Sequence, residues 1–566
     1  MKSRDLSKLQ IRAEVMLMLQ NLNSLDEMSK DQQDKYLNKF RSITDIEYVI
    51  EVLVKELAKS DYKRGQLISL FLQELGDLES LQEILWSYVK SPKASDELKD
   101  LSGIILKSLG DQTDPEEFLN YLDDPKAIVD KETQKLLEVA SLNPEAQIDF
   151  LDFLFSLPED EQINLVASLK EDYASEYLVN VAVPALLAGP SLKLEEALIK
   201  ILGETRSPLA VPALNDILKY SKSMPIKKHA QKSLTMLKLS GVAVNKEEVS
   251  YKDSPVTKIS EIYECHTNIV DGIGNQGFII SRVKPNHDIL MMNVVINDIH
   301  GVLDCFGFYG ISKQDFSRII EKFQEMTTRV SVSPEYCKLR LEQAEKINKE
   351  HNLPIPYEYA AWKSLISDIS PLENNFEELS KNWVSKSLIN EAALLYKFPD
   401  FKHWFFEEED NPAADKMLLS LIKEITEKNE YFLEHRDELK SWLQYNTDKF
   451  SDEILDDENK NIYKNRLLDI TYLLHFQGLE LFRDIAASLV WAVTPENNYD
   501  LKTVPFFKEL IKRTILEGFI RYQYKIDQAA TADTGININK NKKQVTNTKT
   551  LPGKDLSKII NMLCDL

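Results

Sequence analysis

Seven residues that can ligate a metal or supply a thiol and its base fall within 41 positions: Cys265, His266, His287, Asp298, His300, Asp304 and Cys305. A nucleophilic thiol needs a base within hydrogen-bond reach, and Cys265, His266, His300 and Asp304 are the candidates for such a catalytic set. His300 stands in Asn297-Asp298-Ile299-His300-Gly301, directly after an apolar run. The spacing matches no metal motif, and His287 falls in a turn-rich loop that can point away. A set of loop residues that stabilises the fold is the competing reading of the same cluster.

The second constellation is Gly272-Ile273-Gly274-Asn275-Gln276-Gly277. In a dinucleotide fold this pattern follows a strand and opens a helix, whose N-terminus takes the pyrophosphate. Here a strand-like run follows, which excludes that use. A kinase glycine loop does precede a strand, and His435-Arg436-Asp437 and Asp304-Cys305-Phe306-Gly307 stand in for its other motifs. Their order is reversed, the first sits in a helical pattern and the second is broken by Cys305, so kinase chemistry is excluded as well. A turn entering a strand remains, with phosphate contact by backbone N–H groups as its residual use. Nearby Arg282 and Lys284 could hold an anion, or form a solvated strand face.

No G-x-S-x-G, H-E-x-x-H, Walker A or paired-Cys zinc pattern is present, so neither a cofactor nor a metal is expected. Aromatic residues concentrate at Trp362, Trp383, Trp404, Phe405, Phe406, Trp442 and Trp491; core packing is expected of them, with a partner-binding edge as the alternative.

The elements that must position these residues read as follows. Phe278–Val283 and Ile289–Ile296 are strand-like and flank the turn-rich Lys284–Asp288, a hairpin signal. Ser312 caps a helix carrying Phe316, Ile319, Ile320 and Phe323. Helices are expected over 334–350 and 357–367, so 255–370 reads as a small α+β module with a β-hairpin. The polar stretch from Asn245 to Pro255 reads as a linker. Helices at 461–476, at 481–490 and from Pro505 to about Tyr524 suggest a bundle over 371–528. Residues 529–566 read as a disordered tail, ending in an amphipathic helix with Leu556, Ile559, Ile560 and Leu563 at i, i+3, i+4, i+7. Those four are candidate partner-binding residues, with docking in trans and packing on the same chain both open.

Residues 1–245 carry a repeat. In Leu202-Gly203-Glu204-Thr205-Arg206-Ser207-Pro208-Leu209-Ala210-Val211-Pro212-Ala213-Leu214 a helix over 195–202 is expected to end at Gly203, and a second begins after Pro208. Similar grammar recurs at Leu75-Gly76 and Leu109-Gly110, with degenerate turns near Asn143-Pro144 and Lys170-Glu171. Equating positions 76, 110, 141, 170 and 203 gives gaps of 34, 31, 29 and 33 residues. A period of about 30 residues with two helices each reads as an α-solenoid. The segment 195–237 resembles a HEAT repeat of the short bacterial kind also found in phycobilin lyases, carried by L-G-x-x-x-x-P-x-A-V-P-A-L at 202–214. The resemblance covers about 60–240 and implies a curved scaffold that binds protein; it does not imply lyase chemistry. The strand Ile279–Arg282, the turn Leu303–Gly307 and the segment Pro356–Trp362 resemble parts of uncharacterised bacterial proteins, which supply no activity.

The chain of 566 residues carries a formal net charge of -22, which lowers the expectation of nucleic-acid binding. Four cysteines without a disulfide framework suit reduced thiols in the cytoplasm. No apolar run is long enough to span a membrane. The fold class is therefore mainly α: an N-terminal solenoid, a small central α+β module and a C-terminal bundle. The expected function is a cytoplasmic protein-interaction scaffold or adaptor. The alternative is an enzyme with a site in the 265–305 loops.

Overall fold

A computed structural model describes residues 7–20, 28–76, 79–128, 139, 143–172, 175–244, 260–406, 412–533 and 556–564. The chain is mainly helical, with one five-stranded antiparallel sheet in the middle. The N-terminal helices are α1 (Lys8–Gln20), α2 (Lys30–Arg41), α3 (Ile46–Leu57), α4 (Tyr62–Leu75), α5 (Glu79–Val89), α6 (Asp96–Ser108), α7 (Pro115–Leu119), α8 (Pro144–Ser156), α9 (Glu159–Asp172), α10 (Ser175–Leu187), α11 (Leu192–Glu204), α12 (Ala210–Tyr220) and α13 (Met224–Leu239). The strands are β1 (Glu261–Asn268), β2 (Asn275–Val283), β3 (Ile289–Asn297), β4 (Gly301–Ile311) and β5 (Arg329–Ser331). Around and after them lie α14 (Lys313–Met326), α15 (Pro334–His351), α16 (Tyr357–Trp362), α17 (Phe376–Lys381), α18 (Pro412–Glu427), α19 (Asn429–Glu434), α20 (Arg436–Ile454), α21 (Asp457–Phe476), α22 (Glu480–Val493), α23 (Pro505–Asp533) and α24 (Ser557–Cys564).

Side-chain caps start many of the N-terminal helices. Ser95, Ser191 and Ser223 each accept the backbone N–H three residues on, which satisfies one of the four orphan donors of a helix start. Many of these helices pack on a sequence neighbour, as α3 does on α4 and α5 on α6, or on the next but one, as α4 does on α6 and α11 on α13. Two apolar cores result, one from Ile11 to Leu106 and one from Phe150 to Leu237. The α11–α13 contact shows why position 203 is glycine. α11 does not stop there but runs to Glu204, and Gly203 lies buried inside it. A Cβ at Gly203 would sit 2.5 Å from the Ser233 Cβ, so the absent side chain sets the helix approach. The left-handed residue that ends this segment is Arg206, at φ 54°. Similarly, α9 continues through Lys170-Glu171, where a turn was expected.

The sheet order is β4-β3-β2-β1-β5. The β2–β3 hairpin matches the expected strands closely, and His287 turns its loop at φ 73°. β1, β4 and β5 were not foreseen, because polar and charged residues interrupt their apolar pattern. One sheet face bears Phe278, Ile280, Met292 and Val294 and shares a continuous core with Tyr336, Trp362, Trp404, Leu467 and Phe506. The opposite face packs Ile279, Ile289 and Met291 on Phe316 and Ile320 of α14, whose start Ser312 caps as expected. Three N–H groups of β4 are taken by side chains. Val302 donates to Asn348 Oδ1 at 2.7 Å, Cys305 to Asp304 Oδ1 at 2.8 Å and Tyr309 to Glu145 Oε1 at 3.0 Å.

The N-terminal helices are fastened to this unit by polar contacts. Lys349 of α15 meets Asp216 of α12 at 2.7 Å, and the N–H of Lys30 donates to Asp288 at the hairpin tip at 2.8 Å. The linker expected at 245–255 lies outside the described residues. At the other end α23 runs on to Asp533 rather than ending near Tyr524; residues 534–555 of the expected tail lie outside the described residues. His435-Arg436-Asp437 stands at a helix junction, where His435 closes α19 and Arg436 and Asp437 open α20.

Candidate functional site

Cys265, His266, Asp304 and Cys305 lie on strands, not in loops, and strand geometry separates them. Cys265 and His266 are successive residues of β1 and therefore point to opposite faces. Cys265 is buried in the core shared with the C-terminal helices, beside Cys337, whose thiol is pushed up by burial and by Cys265 itself. His266 is buried under the other face, with Nε2 2.8 Å from Glu264 Oε2 and Nδ1 3.3 Å from Ser331 Oγ. Asp304 is exposed on β4, three strands from His266 in the sheet order, about 14 Å at the usual strand spacing. Cys305 is buried, and burial, with the charges of Asp304 and Glu358, pushes its thiol well up. His300 is exposed in the β3–β4 turn. The four candidates for a catalytic set thus share no pocket. Among the described residues, no three His, Cys, Asp or Glu side chains converge as a metal site requires.

The glycine turn is engaged by the protein itself. The N–H groups of Ile273 and Asn275 donate to Asp271 Oδ1 at 3.1 and 2.8 Å, that of Gly274 to the Asp271 carbonyl at 3.1 Å, and that of Gly277 to Asn268 Oδ1 at 2.6 Å. A phosphate would have to displace these internal acceptors. From above, Arg466 of α21 donates Nε and Nη2 to Asp298 at 2.6 and 2.8 Å, and its Nη1 to the Gly272 carbonyl. Gly274 adopts φ 91°, and a Cβ there would collide with the Asp298 carboxylate and the Arg466 guanidinium. Burial raises the Asp271 pKa against the opposing pull of its N–H donors and Arg466.

A second buried network adjoins the first. Tyr336 donates to Asp469 Oδ1 at 2.7 Å, and Gln276 Nε2 to Asp469 Oδ2 at 3.1 Å. Arg340 donates Nη2 to Gln276 Oε1 at 3.2 Å and lies 3.5 Å from Asp469. Burial, then the Asp469 charge, pushes the Tyr336 hydroxyl well up, so it stays a donor. These polar groups satisfy one another and fix the end of the sheet against α15 and α21. Arg466 and Asp469 escaped the sequence reading. Their signal was two charges inside the otherwise apolar stripe 467–474 and its approach.

Arg282 is neither a solvated residue nor an anion site. It is buried, with two bonds to Asp368 at 2.9 and 3.0 Å and others to Ser260 and the Leu365 carbonyl. Lys284 lies over the Tyr309 ring at 3.6 Å. Of the aromatic residues, Trp362, Trp404, Phe405, Phe406 and Trp442 are buried.

An open cleft of about 540 Å³ lies where the end of α10 meets β4 and the segment 353–358. Leu303, Leu353, Ile355 and Pro356 give it apolar walls, and His300 and Glu358 stand on its lining. The surface suits apolar contact; it lacks a nucleophile paired with a base. Leu556, Ile559, Ile560 and Leu563 are buried against the same chain, in the core shared with α19, α20 and α23. No helix among the described residues is long and apolar enough to cross a membrane. Compared with protein-family models, with curated proteins and with solved structures, the chain has no match.

Proposed function

We propose that the protein is a cytoplasmic interaction scaffold or adaptor in which residues 1–245 form a HEAT-type α-solenoid and offer its surface to a protein partner. The observation that carries this reading is the recurrence of contacts one repeat apart. Ser191 and Ser223, 32 positions apart, cap α11 and α13 in the same way. Ser233 Oγ donates to the Ile199 carbonyl 34 positions away at 2.8 Å, and Lys193 meets Glu159, also 34 positions away, at 2.7 Å. Arg41 and Glu74 are linked across 33 positions. Such fixed offsets are expected of stacked units that each contact only their neighbours. The separation of Cys265, His266, His300 and Asp304 supports a scaffold over an enzyme.

Leu192 and Met224 open α11 and α13 at equivalent positions and are 64% and 73% exposed. The tagged full-length chain should recover a reproducible protein partner, and Leu192→Glu with Met224→Glu should abolish that recovery while thermal unfolding stays unchanged. Recovery of no partner, together with stoichiometric transition-metal binding by the purified chain, would overturn the reading.

A further inference from the structure

α24 is seated on the body by its apolar stripe yet joined to it by a long connection. Leu556, Ile559, Ile560 and Leu563 are at most 8% exposed, while Ser557, Lys558 and Asn561 face solvent. The helix lies against α19, α20 and α23, which contribute Phe432, Leu439, Leu443 and Phe519 to the shared core. The N–H of Leu556 donates to Gln523 Oε1 of α23 at 2.8 Å. The 22 residues 534–555 separate Asp533, the last of α23, from Leu556. A connection of that length can extend over roughly 75 Å, so the helix can leave without unwinding α23. An eight-residue helix is not stable alone in water, so α24 owes its form to the groove.

We propose that the groove between α19, α20 and α23 is a docking site for a partner's amphipathic helix, one with large aliphatic side chains at i, i+3, i+4 and i+7, and that α24 is its displaceable occupant within the chain. The groove's complement is specified by the helix already in it: four aliphatic side chains on one face and a polar opposite face. Covalent attachment through 22 residues makes α24 a strong competitor, because it holds the helix at an effective concentration on the order of millimolar. A partner's helix must therefore be longer or fill the groove better than α24 does. This site is separate from the helices proposed as the solenoid, so each can fail without the other.

The test uses the full-length chain and a fluorescent synthetic peptide of residues 551–566. The chain carrying Ile560→Asp and Leu563→Asp, which releases its own α24, should bind the peptide at least tenfold more tightly than the unmodified chain. A peptide carrying the same two aspartates should bind neither. Equal affinity for both chains, or no binding to the substituted one, overturns the proposal. So does loss of cooperative folding in the substituted chain, which would make α24 an integral part of the core. In the unmodified chain, the amide hydrogens of α24 should exchange at least a hundredfold faster than those of Leu510–Phe519; equal protection overturns the proposal independently. A concentration-dependent dimer that these two substitutions abolish would make the second occupant another copy of this chain and overturn the assignment to a partner.

Discussion

Arg466 holds Asp298 by two parallel bonds of 2.6 and 2.8 Å, directly over the glycine at 274. The arginine comes from the C-terminal helices and the aspartate from the β3–β4 turn, so this pair joins the sheet to the bundle. The Arg466 side chain is 4% exposed. Burial opposes its charge, but Asp298, Tyr463 and Asp271 together offset this and its pKa is raised. Asp298→Ala should strand a buried cation and cost about 3–5 kcal/mol in urea unfolding. Replacing the pair together, as Asp298→Ala with Arg466→Met, should cost less than the sum of the single changes.

Gly203→Ala should destabilise the chain by about 1–3 kcal/mol, because the new methyl group runs into Ser233. Helix propensity alone favours alanine over glycine by about 1 kcal/mol, so the sign of the change decides between packing and propensity. Chemical denaturation measures it.

Glu345 gives the protein an acid limb. Burial would raise its pKa, but Lys363 and Lys349, the Tyr359 hydroxyl at 2.7 Å and Lys338 lower it to about 2. A carboxyl depressed in the folded state stabilises above its unfolded value of 4.5, and that contribution fades as pH falls toward about 2. Glu345→Gln should remove stability on the order of 3 kcal/mol at pH 7 and flatten the pH dependence between those two values. Thermal melts from pH 2 to 7 report both.

Thiol chemistry should divide the cysteines. Cys265, Cys305 and Cys337 are buried and Cys564 is exposed. Burial pushes the Cys305 and Cys337 thiols well up, which starves them of reactive thiolate. A disulfide reagent at pH 8 should label one cysteine in the native chain and all four after denaturation.

The helical pattern and the β2–β3 hairpin were legible because their apolar residues follow one period without interruption. β1 was hidden because Glu261-Ile262-Tyr263-Glu264-Cys265-His266-Thr267-Asn268 mixes polar groups into a buried strand. Their partners, such as Ser331 for His266, lie about 65 positions away, beyond any local spacing. Arg282 misled for the same reason, since Asp368 stands 86 positions further on. At Gly203 local grammar allowed a helix end, and only the contact with Ser233 reveals a packing role. The four candidate residues between 265 and 305 looked like a cluster because they are near in sequence, whereas alternation along a strand and the distance across a sheet divide them.

The side chains of Asn348, Asp304 and Glu145 occupy N–H groups along β4, one of the two edge strands. An exposed row of backbone donors is a template on which unfolded chains extend a sheet. In a crowded cell, an extended nascent chain arriving at this rim meets carboxylates and an amide already bonded there, and growth by a sixth strand is blunted where it would begin.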